Sequence, residues 1–187
     1  MESKARILGH PIHPILIVFP LGLLATAVIF DIVALVSTVP KWAEFATYLT
    51  AAGVVGGLLA AVPGTIDWLA IPNGTRAKRV GLIHGVGNVI VVALFLVDWL
   101  LRRETPAAPP TGSVAAGLIG LGLALVTGWL GGELVDRMGV GVHDGANLNA
   151  PSSLSGRSAR VMSWSGPERR HFGQPAYAGA ERRGRGV

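Results

Sequence analysis

No cysteine occurs anywhere in the 187 residues. That absence excludes disulfides, thiolate metal sites, cysteine-ligated iron–sulfur clusters and thioether-linked haem within the chain, and it removes the usual indicator of redox compartment. Charge is scarce as well. Only 14% of residues are Asp, Glu, Lys or Arg, where an ordinary soluble domain carries about 25%. Neither a Walker loop nor a strand-to-helix G-x-G-x-x-G is present, and no serine lies near the histidines to act as a nucleophile, so nucleotide binding of those types and nucleophilic hydrolysis lack their parts. What is present is apolar. Half the residues are hydrophobic and the mean hydropathy is +0.51, the composition of an integral membrane protein.

Four apolar segments reach the ~20 residues needed to cross the hydrocarbon core: about 14–36, 45–66, 80–101 and 113–135. Lys4 and Arg6 precede the first, which is too long for a signal-peptide core and has no small-residue cleavage site after it. It is expected to remain as a spanning helix. The breaks, "STVPKWAE", "DWLAIPNGTRAKR" and "RRETPAAPPTG", are polar or proline-bearing. From Val142 the apolar periodicity stops. The expected fold is therefore all-α, an integral membrane four-helix bundle over residues 1–142. An Arg, Gly and Ser rich tail over 143–187 has too little apolar mass to fold alone and is expected to be disordered.

Orientation follows from the basic residues that flank the spans. Lys4, Arg6, Arg76, Lys78, Arg79 and Arg137 share one side, while Lys41, Arg102 and Arg103 share the other. The excess places both termini in the cytoplasm. Trp42 and Trp99 then mark the outer interface and Trp68 the inner one.

On this topology His10, His13, His84, Asp67, Glu133 and Asp136 all gather at the inner side. In "GHPIHPILIVFP" two His-Pro pairs stiffen the approach to the first helix, with His13 expected just before it and Pro14 in its first turn. His84, in "GLIHGVGN", lies within an apolar segment, where ionisable residues face a bundle interior or a cavity. Each helical hairpin begins with an inner histidine and closes with an inner acid, His13 with Asp67 and His84 with Glu133. Two such hairpins related by an axis along the membrane normal would face His13 toward His84. Gly53 and Gly57, Gly81 and Gly85, and Gly128 and Gly132 form G-x-x-x-G pairs suited to close helix packing. On the outer side Asp98 stands four residues before Arg102, the spacing of a snorkelling ion pair. Asp31 has no assigned partner.

"GHPIHPILIVFPLGLL", "GLLAAVPGTIDWLAIP", His84 and "GWLGGELVDRMGVGV" together resemble the bacterial four-helix membrane family catalogued as a domain of unknown function, DUF2231. The resemblance covers about residues 7–142 and leaves the tail outside. It implies a multi-pass protein of the bacterial inner membrane. Some relatives are fused to Rieske or cytochrome domains, which implies electron traffic and redox partners of those types. The chain departs from the family pattern at Met138, where a histidine often stands, and at Asp136, where an aromatic does. The first departure weakens Met138 as a ligand.

Three classes of function fit these residues. One is a haem-binding or electron-transfer protein in which His13 and His84 hold haem b, with His10 as alternate ligand and Asp67 or Glu133 as supporting groups. A second is a divalent-metal site or transporter, where His10, His13, His84, Asp67 and Glu133 form a nitrogen and oxygen shell for zinc, iron or manganese. The third is a structural or partner-binding module without a cofactor. The lipid bilayer is the partner common to all three. Nucleic acid is not expected, because the tail arginines come with few aromatics and adjoin an anionic leaflet.

Overall fold

A computed structural model describes residues 1–157 and Ala159. Four long helices dominate it: α1 (Ile12–Ser37), α2 (Pro40–Ala70), α3 (Arg76–Arg102) and α4 (Thr111–Gly132), the last continuing into a π-helical turn over Glu133–Arg137. All four are long and apolar enough to span a membrane. Before them, β1 (Arg6–Ile7) and β2 (His10–Pro11) form a minimal antiparallel hairpin. Its turn, Leu8–Gly9, has positive φ at both residues.

Local chemistry sets the helix ends. Thr38 takes a left-handed conformation after α1, and Pro40 opens α2 at a position where no N–H is needed. Asn73–Gly74 turns the chain toward α3, whose N-cap Thr75 accepts the Lys78 N–H at 3.1 Å. Lys78 then reaches back across this turn. Its ammonium donates to the Trp68 carbonyl at 2.8 Å and lies 4.1 Å from the Trp68 ring, while the indole N–H donates to the Lys78 carbonyl at 3.2 Å. α1 begins earlier than its prolines imply: Pro11 is the N-cap, and His13 lies within the first helical turn instead of preceding it.

Packing follows the hairpins, α1 against α2 and α3 against α4. The centre is a small apolar cluster of Leu24, Val28, Val54, Val91 and Phe95. Gly53 makes room for Leu24, and Gly120 for the Phe95 ring. Elsewhere the helices present Val18, Phe19, Leu58, Val89, Ile119 and Leu125 outward. Such a large apolar exterior is a lipid-facing surface, since in water it would be an aggregation liability.

The two hairpins keep a common register. His13 and His84, Leu24 and Phe95, and Asp31 and Arg102 are each 71 positions apart on α1 and α3. Gly53 and Gly120, Ala60 and Thr127, and Gly64 and Gly131 are each 67 apart on α2 and α4 (120 − 53, 127 − 60, 131 − 64). The internal repeat is therefore present, with one correction. Asp67 corresponds to the buried Leu134, and Glu133 to Ile66, so the two closing acids are not equivalent.

The N-terminal segment closes the histidine end. The Asp67 carboxylate accepts from the Ser3 hydroxyl at 2.8 Å, the Lys4 N–H at 2.7 Å and the Ala5 N–H at 3.2 Å. Met1 donates through its ammonium to the Gly139 carbonyl and accepts from the Gly141 N–H. Glu2 accepts the Asp144 N–H at 3.1 Å, and that bond holds its carboxyl below the usual glutamate value. Most of the tail expected to be disordered lies outside the described residues. Its start is folded back, with Ser153 packed on Gly9 and bonded to His10.

Candidate functional site

His13 projects from α1 and His84 from α3, and their ring centroids are 6.5 Å apart at an interplanar angle of 87°. Each ring is oriented by the second helix of its own hairpin. His13 Nδ1 lies 2.8 Å from the Ala60 carbonyl, and His84 Nδ1 lies 2.8 Å from the Thr127 carbonyl. A carbonyl can only accept, so both Nδ1 atoms carry a proton, and in the neutral ring it is Nε2 that keeps the lone pair. One turn beyond each carbonyl stands a glycine that makes space for the ring. A Cβ on Gly64 would come within 2.8 Å of His13, and one on Gly131 within 3.1 Å of His84.

Asn88 completes the His84 side. Its Nδ2 donates to the His84 carbonyl at 2.9 Å, and its Oδ1 accepts the Thr127 hydroxyl at 3.0 Å. The same Nδ2 is 3.2 Å from His84 Nε2 and 3.4 Å from Nδ1. A donor seated on the Nε2 lone pair would be clearly farther from Nδ1, so these near-equal distances leave the lone pair open to a ligand. With Nδ1 fixed on a carbonyl, the outer hydrogen bond sets the tautomer and direction of each ring, as it does for histidines that ligate metals.

The remaining sequence candidates do not join this pair. His10 lies on the outer edge of the N-terminal hairpin with Nε2 3.2 Å from the Ser153 hydroxyl. Asp67 is occupied by Ser3, Lys4 and Ala5. Glu133 pairs with Arg76 at 3.2 Å and Arg137 at 3.9 Å. Among the described residues, no group of three or more His, Asp or Glu stands together as a metal site. The five-residue nitrogen and oxygen shell is thus corrected to a two-histidine pair, and neither acid supports it. Asp67 and Glu133 share the depth of the histidines without sharing their helix face.

Thr127, Gly64 and Gly131 are site residues that sequence reasoning passed over. The 71 and 67 registers would have found them, since each histidine meets a carbonyl and a glycine four residues later at matching positions. Of the G-x-x-x-G pairs, Gly53 and Gly57 pack closely on neighbouring helices, whereas Gly85, Gly128 and Gly132 meet nothing within 4 Å.

Residues 9–144, which carry both histidines and all four helices, match the family model described as a predicted membrane protein (DUF2231). The chain belongs to the DUF2231 family. No curated protein and no solved structure matches it. Family membership and the four apolar helices agree on a multi-pass membrane protein, and the matched region ends just after the segment that ties Met1 to Gly139 and Gly141.

Proposed function

We propose that this DUF2231 protein is a membrane electron-transfer protein in which His13 and His84 hold one haem b. The observation that carries the reading is the matched anchoring of the two rings, each with Nδ1 2.8 Å from a carbonyl of the second helix of its own hairpin. Two imidazole nitrogens from different helices, on rings whose centroids are 6.5 Å apart, are the donors that would hold the iron. Haem iron, when bound, supplies one-electron exchange. The chain's own part is to present two neutral imidazoles, to fix their planes through Ala60 and Thr127, and to exclude water with lipid-facing helices. Partners of Rieske or cytochrome type are the matching electron donors or acceptors.

The distribution of basic residues supports a cytoplasmic location for this pair. Lys4, Arg6, Arg76, Lys78, Arg79 and Arg137 flank the histidine end; at the other end only Lys41 and Arg103 are solvent-facing, because Arg102 is fully buried. Reporter fusions after Arg79 and Arg137 should read cytoplasmic, and those after Lys41 and Arg103 external. The reverse pattern would move the histidines to the outer face.

The visible spectrum of detergent-purified protein, oxidised and dithionite-reduced, tests the cofactor. A low-spin spectrum with a sharp α-band on reduction is expected, abolished or converted by His13→Ala or His84→Ala, and only weakly altered by His10→Ala. A second reading has its own support: each ring fills a glycine notch and ties two helices, so the pair could serve purely as a clasp between hairpins in a module without cofactor. Colourless, metal-free protein that loses thermal stability on either substitution selects the clasp.

A further inference from the structure

At the end of the bundle opposite the histidines, α1 and α3 bring a second set of charges together. Arg102 is fully buried, and its guanidinium forks onto Asp31, with Nη1 donating to Oδ2 at 2.8 Å and Nη2 donating to Oδ1. Nη2 also donates to the Ala43 carbonyl at 3.2 Å. Asp98, one turn before Arg102, receives only long contacts: Oδ1 lies 3.4 Å from Nη1, and Oδ2 lies 3.5 Å from the Thr50 hydroxyl. The snorkelling pair expected from the Asp98–Arg102 spacing is therefore corrected to a buried triad in which Asp31 is the main counterion.

The charges do not balance. Two carboxylates, both at most 3% exposed, share one guanidinium. From the other helices the hydroxyl of Thr50 and the backbone at Gly117 face Asp98, and among the described residues no second Lys or Arg pairs with either carboxylate. A surplus negative charge in a low-dielectric interior is costly, and a carboxyl relieves that cost by taking up a proton. Asp31 has the two-pronged bond that favours the ionised form, whereas Asp98 lacks it. A cavity of about 400 Å³ reaches the triad at Asp31 and is lined in part by Thr38, Ala43 and Thr111. Arg102 Nε, also buried, has no acceptor among the described residues, which leaves one donor for an oxygen ligand such as water.

We propose that Asp98 is a proton-binding site. Taking up a proton there relieves the surplus charge, and the proton exchanges with water entering beside Asp31. On release the Asp98 O–H bond breaks, the proton passes to water, and the carboxylate remains against Arg102 and Thr50. Asp98 lies 14 residues along α3 from His84 (98 − 84), about 21 Å at 1.5 Å per residue. It is thus separate from the histidine pair and independent of any haem.

Infrared spectroscopy of the purified protein tests this directly. Wild-type protein should show, as the pH is lowered from high values, the C=O stretch of a protonated carboxylic acid that is shifted in D₂O and lost at high pH. Asp98→Asn should remove it, Asp98→Glu should move it, and Asp31→Glu should leave its frequency unchanged. Absence of the band from wild-type protein at every pH at which it stays folded overturns the proposal, whatever the variants do. A band that moves with Asp31→Glu and not with Asp98→Glu overturns the assignment. Absence of the band together with stabilisation by added sodium ions would instead make the triad a metal-cation site.

Discussion

Arg102 shows how a single buried charge governs its neighbours. Removing Asp31 leaves a guanidinium with no strong counterion away from water, and breaking a buried pair in this way costs about 3–5 kcal/mol. Asp31→Ala should therefore lower the thermal unfolding temperature in detergent sharply. Asp98→Asn should cost much less, because the amide keeps the shape and Asp98 makes only long contacts. Equal losses from both substitutions would show that the two carboxylates share the guanidinium evenly. Glycines at the histidine end allow a similar contrast. Gly64→Ala and Gly131→Ala drive a methyl into the His13 and His84 rings, whereas Gly128→Ala meets open space. The first two should disturb whatever the rings hold, by α-band or by stability, and the third should be near neutral or slightly stabilising through helix propensity.

Among the elements, the N-terminal segment depends on one acceptor. Asp67 takes three donors from Ser3, Lys4 and Ala5, and Ser3 is buried. Asp67→Ala strands those donors at about 1–3 kcal/mol for a buried unsatisfied group. It should also release residues 1–11, which limited proteolysis of the N-terminus would reveal as faster cleavage than in wild type. Unchanged cleavage would mean that the ties of Met1 to Gly139 and Gly141 suffice. This role explains why the acid was misjudged from sequence. Apolar run length and flanking charge reveal how deep a residue sits along its helix, so His13, His84, Asp67 and Glu133 were all correctly placed at one end. Which way each side chain points around the helix depends on packing partners. Asp67 meets the N-terminal segment and Glu133 meets Arg76 and Arg137.

For the molecule as a whole, the four spans were legible because a bilayer demands long apolar runs, and the facing of His13 and His84 was legible because each opens a hairpin. The Asp31–Arg102 pair was not, since its partners lie 71 residues apart and local spacing pointed Arg102 to Asp98. The repeat register supplies the missing rule: residues 71 apart on α1 and α3 lie opposite each other, as histidines at one end, Leu24 and Phe95 in the centre and a charge pair at the other. A symmetric pair of identical hairpins would place like with like, and Asp against Arg breaks that symmetry in favour of one specific pairing. Each hairpin is then a unit that should assemble without covalent connection. Residues 1–73 and 74–187, expressed together as separate chains, should insert and copurify, since the cut falls in the exposed Asn73–Gly74 turn where few contacts are lost. Asp31→Ala in the first fragment should reduce recovery of the second, and Asp31→Ala combined with Arg102→Ala should restore part of it, because no charge is then left buried alone. Two inserted fragments that never copurify would show that the α2–α3 turn, with its Lys78–Trp68 clasp, is needed to hold the hairpins together.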